Sequence, residues 1–119
     1  IIEKEGLEKN KIAGVFINRL RIGMKLQSDP TVIYALGKDF DGDIKRKDLR
    51  IDNPYNTYRY KGLPPGPISI VSEESLEAAL NPEETDFLYF VSMKNGFHKF
   101  SKNLTEHNEA VLKYQINER

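Results

Sequence analysis

Residues 86–93, DFLYFVSM, then Lys94, Asn95-Gly96 and residues 97–100, FHKF, hold the clearest local signal in the chain. Aromatic and aliphatic side chains crowd both flanks, as they do in strands, and Asn-Gly supplies the left-handed conformations that a tight reversal needs. This stretch predicts a β-hairpin closed by a two-residue turn. Working outward, Asn103 followed three positions later by Glu106 has the form of a helix capping box. It predicts a last helix to about Asn117, with Leu104, Val111, Leu112 and Ile116 as its buried stripe. Before the hairpin, Ser72 caps a predicted helix that runs through Leu80 and is stopped by Asn81-Pro82.

The first half reads as helices and one irregular loop. Ile1 to Gly6 has the pattern of a helix tail stopped by glycine. A second helix is predicted from about Leu7 to Ile22. It places Ile12, Val15, Phe16 and Leu20 on one face, and Arg19 and Arg21 near the end where cations suit the dipole. Gly23 closes it. Ser28-Asp29-Pro30 is a helix start, a capping residue followed by proline in the first turn, and Gly37 ends that short helix. Lys38 to Arg50 is polar, with a turn at Asp41-Gly42. Asp52 to Pro67 carries Tyr55, Tyr58 and Tyr60 among Pro54, Pro64, Pro65 and Pro67. Prolines forbid a regular helix there and the rings argue against a flexible linker, which predicts an ordered functional loop. Helices, loop, helix, hairpin and helix, without βαβ units, make the fold class α+β: several helices with a C-terminal hairpin contributing to a small antiparallel sheet.

Composition sets outer limits. At 119 residues the chain suits one domain with a modest core. Its 18 basic and 18 acidic residues cancel, which removes any electrostatic case for nucleic acid. With no cysteine, disulfides and thiolate metal sites are excluded. His98 and His107 lack a ligand spacing, so no metal is expected, and with no P-loop or dinucleotide fingerprint no organic cofactor is expected either. No apolar run is long enough to span a bilayer. The chain opens without Met inside a patterned segment, which suggests a piece of a longer protein.

Three segments offer chemistry. In Ile1-Ile2-Glu3-Lys4-Glu5, residues two apart on a helix diverge at ~100° per residue, so Glu3 and Glu5 cannot face one cleft as a pair. A glutamate at an apolar cleft edge would hold its proton near neutral pH, as a general acid must. By pattern alone, however, both are ordinary solvated glutamates. In Leu26-Gln27-Ser28-Asp29-Pro30-Thr31, capping accounts for Ser28, Asp29 and Pro30. It leaves Gln27, whose amide could meet sugar hydroxyls or an acetamido group. In Asn53-Pro54-Tyr55-Asn56-Thr57-Tyr58 the aromatic faces suit sugar rings, Asn and Thr offer hydrogen bonds, and proline lowers the entropy lost on binding. A packed, proline-rich connection covering the core explains the same residues.

Taken in order, GVFINRLRIGMKLQSDPTVIYALG (14–37), PYNTYRYKGLPPGPI (54–68), TDFLYFV (85–91) and FSKNLTEHN (100–108) resemble the YceG-like family, the endolytic murein transglycosylases. Each piece is weak alone; the ordered set is specific and covers essentially the whole chain. The resemblance implies a bacterial enzyme that cuts the β-1,4 bond between N-acetylmuramic acid and N-acetylglucosamine within peptidoglycan strands. The muramoyl C6 hydroxyl attacks its own anomeric carbon and leaves a 1,6-anhydro end. One carboxyl group suffices, first as acid and then as base, unlike the two carboxylates of most glycosidases.

The family's catalytic glutamate lies in an Ile-Val-Glu-Lys-Glu segment, which matches Glu3 here, with Glu5 as the alternative register. Gln27, Asp29, Tyr55, Asn56 and Thr57 fall in its strongest motifs and are expected to bind substrate or shape the cleft. Gly6 departs from the Thr of many members. The resemblance also implies a membrane-anchoring helix and a LysM-like region before this part. Residues 1–119 would then be a single catalytic domain, the C-terminal piece of a membrane-anchored parent. That parent would act at the outer face of the bacterial cytoplasmic membrane on glycan strands, with cell-wall synthases as further partners. Starting at Ile1 would leave Glu3 in a fraying first turn, so activity of the parent does not carry over automatically to the isolated segment. The alternative reading is a non-catalytic module that binds glycan or a cell-wall synthase.

Overall fold

A computed structural model describes residues 8–69, 73–95 and 97–116. The fold is α+β, with helices α1 (Lys9–Arg21), α2 (Asp29–Leu36), α3 (Glu73–Leu80) and α4 (Leu104–Val111). Strands β1 (Tyr89–Ser92) and β2 (His98–Ser101) pair antiparallel. Short 3₁₀ turns lie at Gly37–Asp39 and Asp48–Arg50, and a π-helical turn at Leu112–Ile116 follows α4. The described residues gather into two compact units, one of residues 19–69, the other of residues 8–18 with 73–95 and 97–116.

The unit formed by residues 19–69 begins where α1 ends. Gly23, at φ +74°, takes the left-handed position after the helix. Its N–H donates to Leu20 O (3.3 Å) and that of Met24 to Arg19 O (2.8 Å), the paired bonds of a Schellman closure. Arg19 does more than complement the dipole. It is buried, and its Nη1 donates to the Leu26 carbonyl, fastening the turn that follows. Leu26 and Val32 form the apolar centre of this unit. Gly37, at φ +56°, stops α2 as expected. Ser28 does occupy the position before α2, but its side chain does not cap the helix. In the Lys38–Arg50 stretch the Lys45 ammonium is hydrogen-bonded to Asp41 and holds that carboxyl below the usual range.

The second unit is built on the hairpin and on α1 up to Asn18. Ile12, Ala13, Val15 and Phe16 are buried along α1, and the Phe16 ring meets Phe90 of β1 edge-on at 5.8 Å. Another face of α1, at four-residue spacing, is stitched to the segment before β1. Asn10 Nδ2 donates to Asn81 O (2.9 Å) and Glu83 N–H to Asn10 O (3.0 Å). Asn18 Nδ2 donates to Thr85 O (2.8 Å) and Phe87 O (2.9 Å). Gly14, between the two asparagines, lets the Glu83 carbonyl approach to where a Cβ would stand 2.3 Å from its oxygen.

The hairpin departs from expectation in its turn. Ser92 pairs with His98, and Met93 N–H donates to Phe97 O at 2.9 Å, which leaves 94–96 as an odd-length connection. Lys94 supplies a positive φ of 65°, so the reversal is not a two-residue Asn-Gly turn. Among the described residues these two strands are the whole sheet. α4 packs on both strands, with His107 stacked on Tyr89 at 4.9 Å. Its cap is as expected on one side, Asn103 Oδ1 accepting the Glu106 N–H at 2.9 Å. The returning bond runs from Lys102 N–H to Glu106 Oε2 at 3.2 Å rather than from Asn103. The expected stripe holds only in part: Leu104 and Leu112 are exposed, Val111 is half-buried and Ala110 is the buried residue, so α4 lies close to the strands through a small side chain. The expectations at Gly6 and Ser72, and the Ile116 side chain, lie outside the described residues.

Candidate functional site

Within the first unit, the start of α2 and the loop around Tyr55 lie against each other through a closed set of hydrogen bonds. Thr57 Oγ1 accepts the Ser28 N–H at 2.9 Å. Thr31 Oγ1 contacts the Ser28 carbonyl at 2.7 Å and Thr57 Oγ1 at 2.8 Å. Each hydroxyl has one proton, and a carbonyl only accepts. Thr31 therefore donates to Ser28 O, and Thr57 must donate to Thr31. Gln27 N–H adds a bond to Thr57 O at 3.2 Å. Ser28, Thr31 and Thr57 are all buried, so every one of these bonds is made out of water.

Asn56 organises the loop in the same way. Its fully buried amide donates to Leu49 O (3.0 Å) and Ile51 O (2.8 Å), and its Oδ1 accepts the Tyr58 N–H at 3.0 Å. With both donors and one lone pair engaged, it has little left for a ligand. Asn53 Oδ1 receives the Tyr55 N–H at 2.9 Å, and the Asn56 N–H goes to Asn53 O at 2.8 Å. Side-chain amides thus hold a segment whose prolines forbid ladder bonds.

What this framework displays is polar and aromatic. Gln27 is exposed and sits at φ +51°, a left-handed conformation uncommon for a residue with a Cβ. Exposed Asp29, in the first turn of α2, accepts the Tyr58 hydroxyl at 2.6 Å and keeps its other oxygen for a donor. The half-buried Tyr55 ring lies 4.6 Å from Tyr34, tilted by 43°, and Tyr34 remains 48% exposed. Gly66 fits beneath Tyr55, a Cβ there falling 3.2 Å from the phenol oxygen. Of the residues expected from sequence, Gln27, Asp29 and Tyr55 present atoms outward while Asn56 and Thr57 hold them in place. Glu3 and its alternative Glu5 lie outside the described residues.

Sequence reasoning misses Tyr34, the bond between Tyr58 and Asp29, and the buried partners of Thr31. Tyr34 follows Thr31 at helical spacing, and an aromatic residue on so short a helix was the available signal. Thr31 looked like a mere helix residue because its partner is distant in the chain. Thr57→Val is expected to cost about 1–3 kcal/mol, since it strands the buried Ser28 N–H and removes the donor to Thr31 Oγ1. Thr57→Ser, which keeps the oxygen, should cost much less. Urea unfolding of both variants checks this, and a Val variant as stable as the parent would contradict it.

The sequence model of the YceG-like family matches residues 1–113. The chain is 54% identical over 117 residues to the endolytic murein transglycosylase of Bacillus subtilis (strain 168). That match covers 96% of this chain and 32% of the relative. It is 36% identical over 122 residues to the protein of the same name from Streptococcus pneumoniae, covering 96% of this chain and 22% of that one. A crystal structure of a yceG-like protein from Listeria monocytogenes superposes with a TM-score of 0.85 at 53% identity. It covers 92% of this chain and 36% of the Listeria chain. This chain therefore spans about a third or less of the relatives it matches.

Proposed function

This chain belongs to the YceG-like family, and on that premise we propose that it is the catalytic region of an endolytic peptidoglycan transglycosylase. The observation that carries the reading is the 54% identity, over 96% of the chain, to a protein named endolytic murein transglycosylase. Residues 1–119 are read as part of a longer, membrane-anchored protein acting on the outer face of the bacterial cytoplasmic membrane. No described helix is itself long and apolar enough to cross a membrane.

In the proposed reaction, protonated Glu3 gives its proton to the glycosidic oxygen between N-acetylmuramic acid and N-acetylglucosamine. The bond from that oxygen to the muramoyl anomeric carbon breaks, and N-acetylglucosamine leaves with a free C4 hydroxyl. The muramoyl C6 hydroxyl then bonds to the anomeric carbon, and its proton passes to the Glu3 carboxylate. The acid is regenerated and no water is consumed. One carboxyl group serves both steps, in contrast to the paired carboxylates of hydrolytic glycosidases.

Gln27, Asp29 and Tyr55 are the proposed substrate-binding residues. An exposed amide and a carboxylate oxygen suit sugar hydroxyls and acetamido groups, and a tyrosine ring suits the apolar face of a sugar. Asn56 and Thr57 are assigned the shaping of this surface, in keeping with their burial. Tyr55→Ala is expected to weaken muropeptide binding about tenfold, as removal of a stacking ring does at about 1–3 kcal/mol. Titration followed by calorimetry reads it, and unchanged affinity would remove Tyr55 from the binding surface.

The function itself is tested by incubating the full-length protein with uncrosslinked glycan strands and following strand length. Endolytic cleavage shortens the strands before small muropeptides accumulate. Strands that keep their length would contradict the proposal. Small products released while the remaining strands stay long would contradict its endolytic part.

A further inference from the structure

We infer that Glu8 is a positioning residue for this reaction, fixing the point at which the chain that carries Glu3 enters α1. The inference rests on the transglycosylase reading with Glu3 as its acid. Glu8 is the residue before α1, and its carbonyl accepts the Ile12 N–H at 3.0 Å. Ser, Thr, Asp and Asn are the residues that suit such a position. Glu8 is none of these, and its φ of +63° lies in the left-handed region that a Cβ disfavours. A strained residue of this kind persists only where its surroundings hold it.

The holding contact comes from the hairpin. Glu8 Oε1 accepts the backbone N–H of His98, ninety positions along the chain, at 2.6 Å. A carboxylate accepting an amide proton makes a short, strong bond. The Glu8 side chain is 15% exposed, so this bond is largely shielded from water. Two further groups face the carboxylate: Lys11 Nζ at 3.8 Å and His98 Nδ1 at 3.5 Å. His98 Nδ1 is buried and has no hydrogen-bond partner among the described residues. A left-handed backbone and a buried imidazole nitrogen without a partner among the described residues both count against stability, and both are concentrated at one junction.

That junction stands five residues after Glu3 in the chain. Glu8 does not itself touch the reacting atoms. It fixes the backbone through which the acid is connected to the fold, and small displacements of a catalytic group are costly in rate.

The test uses the full-length protein. Glycine adopts φ +63° freely, so Glu8→Gly removes the anchor while relieving the backbone. Glu8→Gln keeps an oxygen that can accept the His98 N–H. Glu8→Gly is expected to lower kcat for strand cleavage about tenfold to a hundredfold, with KM within about twofold. Its melting temperature should stay within about 3 °C of the parent. Glu8→Gln should recover most of kcat. Full kcat in Glu8→Gly, beside an inactive Glu3→Gln, would overturn the inference and leave the acid assignment standing. A loss of kcat matched by loss of folded protein and not rescued by Gln would also overturn it. Activity surviving in Glu3→Gln would overturn both, since no acid at Glu3 would remain to be positioned.

Discussion

Glu3→Gln in the full-length protein is expected to lower glycan-strand cleavage by about 10²–10⁴-fold, the usual contribution of a general acid–base group. The exchange keeps size and shape and removes the titrating proton. In a two-carboxylate enzyme a second group would still perform half of the chemistry. In the proposed reaction one group both gives and takes the proton, so the loss should fall on kcat and leave strand binding in place. The companion variant Glu5→Gln should retain activity, because the family motif matches Glu3, and not Glu5, to the catalytic position. The reverse pattern, with Glu5→Gln inactive and Glu3→Gln active, would move the role to Glu5. Full activity in both would remove the segment from catalysis.

Gly14→Ala is expected to destabilise the fold by about 2 kcal/mol or more, against the sign that helix propensity alone would give. In an open helix, alanine is better than glycine by about 1 kcal/mol. Here the new methyl would stand 2.3 Å from the Glu83 carbonyl oxygen, and the obstacle is backbone rather than a side chain that can swing away. That backbone is tied to α1 by Asn10 and Asn18 on either side. Overpacking costs about 1–3 kcal/mol, and more where backbone must shift. The melting temperature should therefore fall by about 6–10 °C. A variant more stable than the parent would show that the 81–87 segment does not bear on α1 as described.

The features that could be read in the sequence are those carried by neighbours in the chain. The strands flanking Asn95-Gly96, the buried face of α1 at Ile12, Val15 and Phe16, and the stops at Gly23 and Gly37 all rest on local periodicity or backbone freedom. The errors share a different cause. Ser28 has the residue type and position of a side-chain cap, yet its side chain does not cap α2, and its backbone N–H goes to Thr57, remote in sequence. Of the two roles expected for Asn56 and Thr57, binding or shaping, their residue types could not choose; polar groups engaged by Leu49, Ile51, Ser28 and Thr31 favour shaping. Leu104 and Leu112 looked buried because they are apolar, but close packing of α4 on the strands selects Ala110. Gly14 gave no signal at all, since its need for a hydrogen atom is set by a carbonyl in a distant segment. The proposed acid, Glu3, rests on its motif alone, because the desolvation that makes a glutamate an acid belongs to three-dimensional surroundings.

The proposed cleavage uses no water: the strand is cut by the substrate's own C6 hydroxyl. It is tested most directly by digesting glycan strands with the full-length protein in oxygen-18 water and determining the new sugar ends by mass spectrometry. The expected products are 1,6-anhydro-muramoyl ends that carry no heavy oxygen. Reducing muramic acid ends that each carry one oxygen-18 would contradict it.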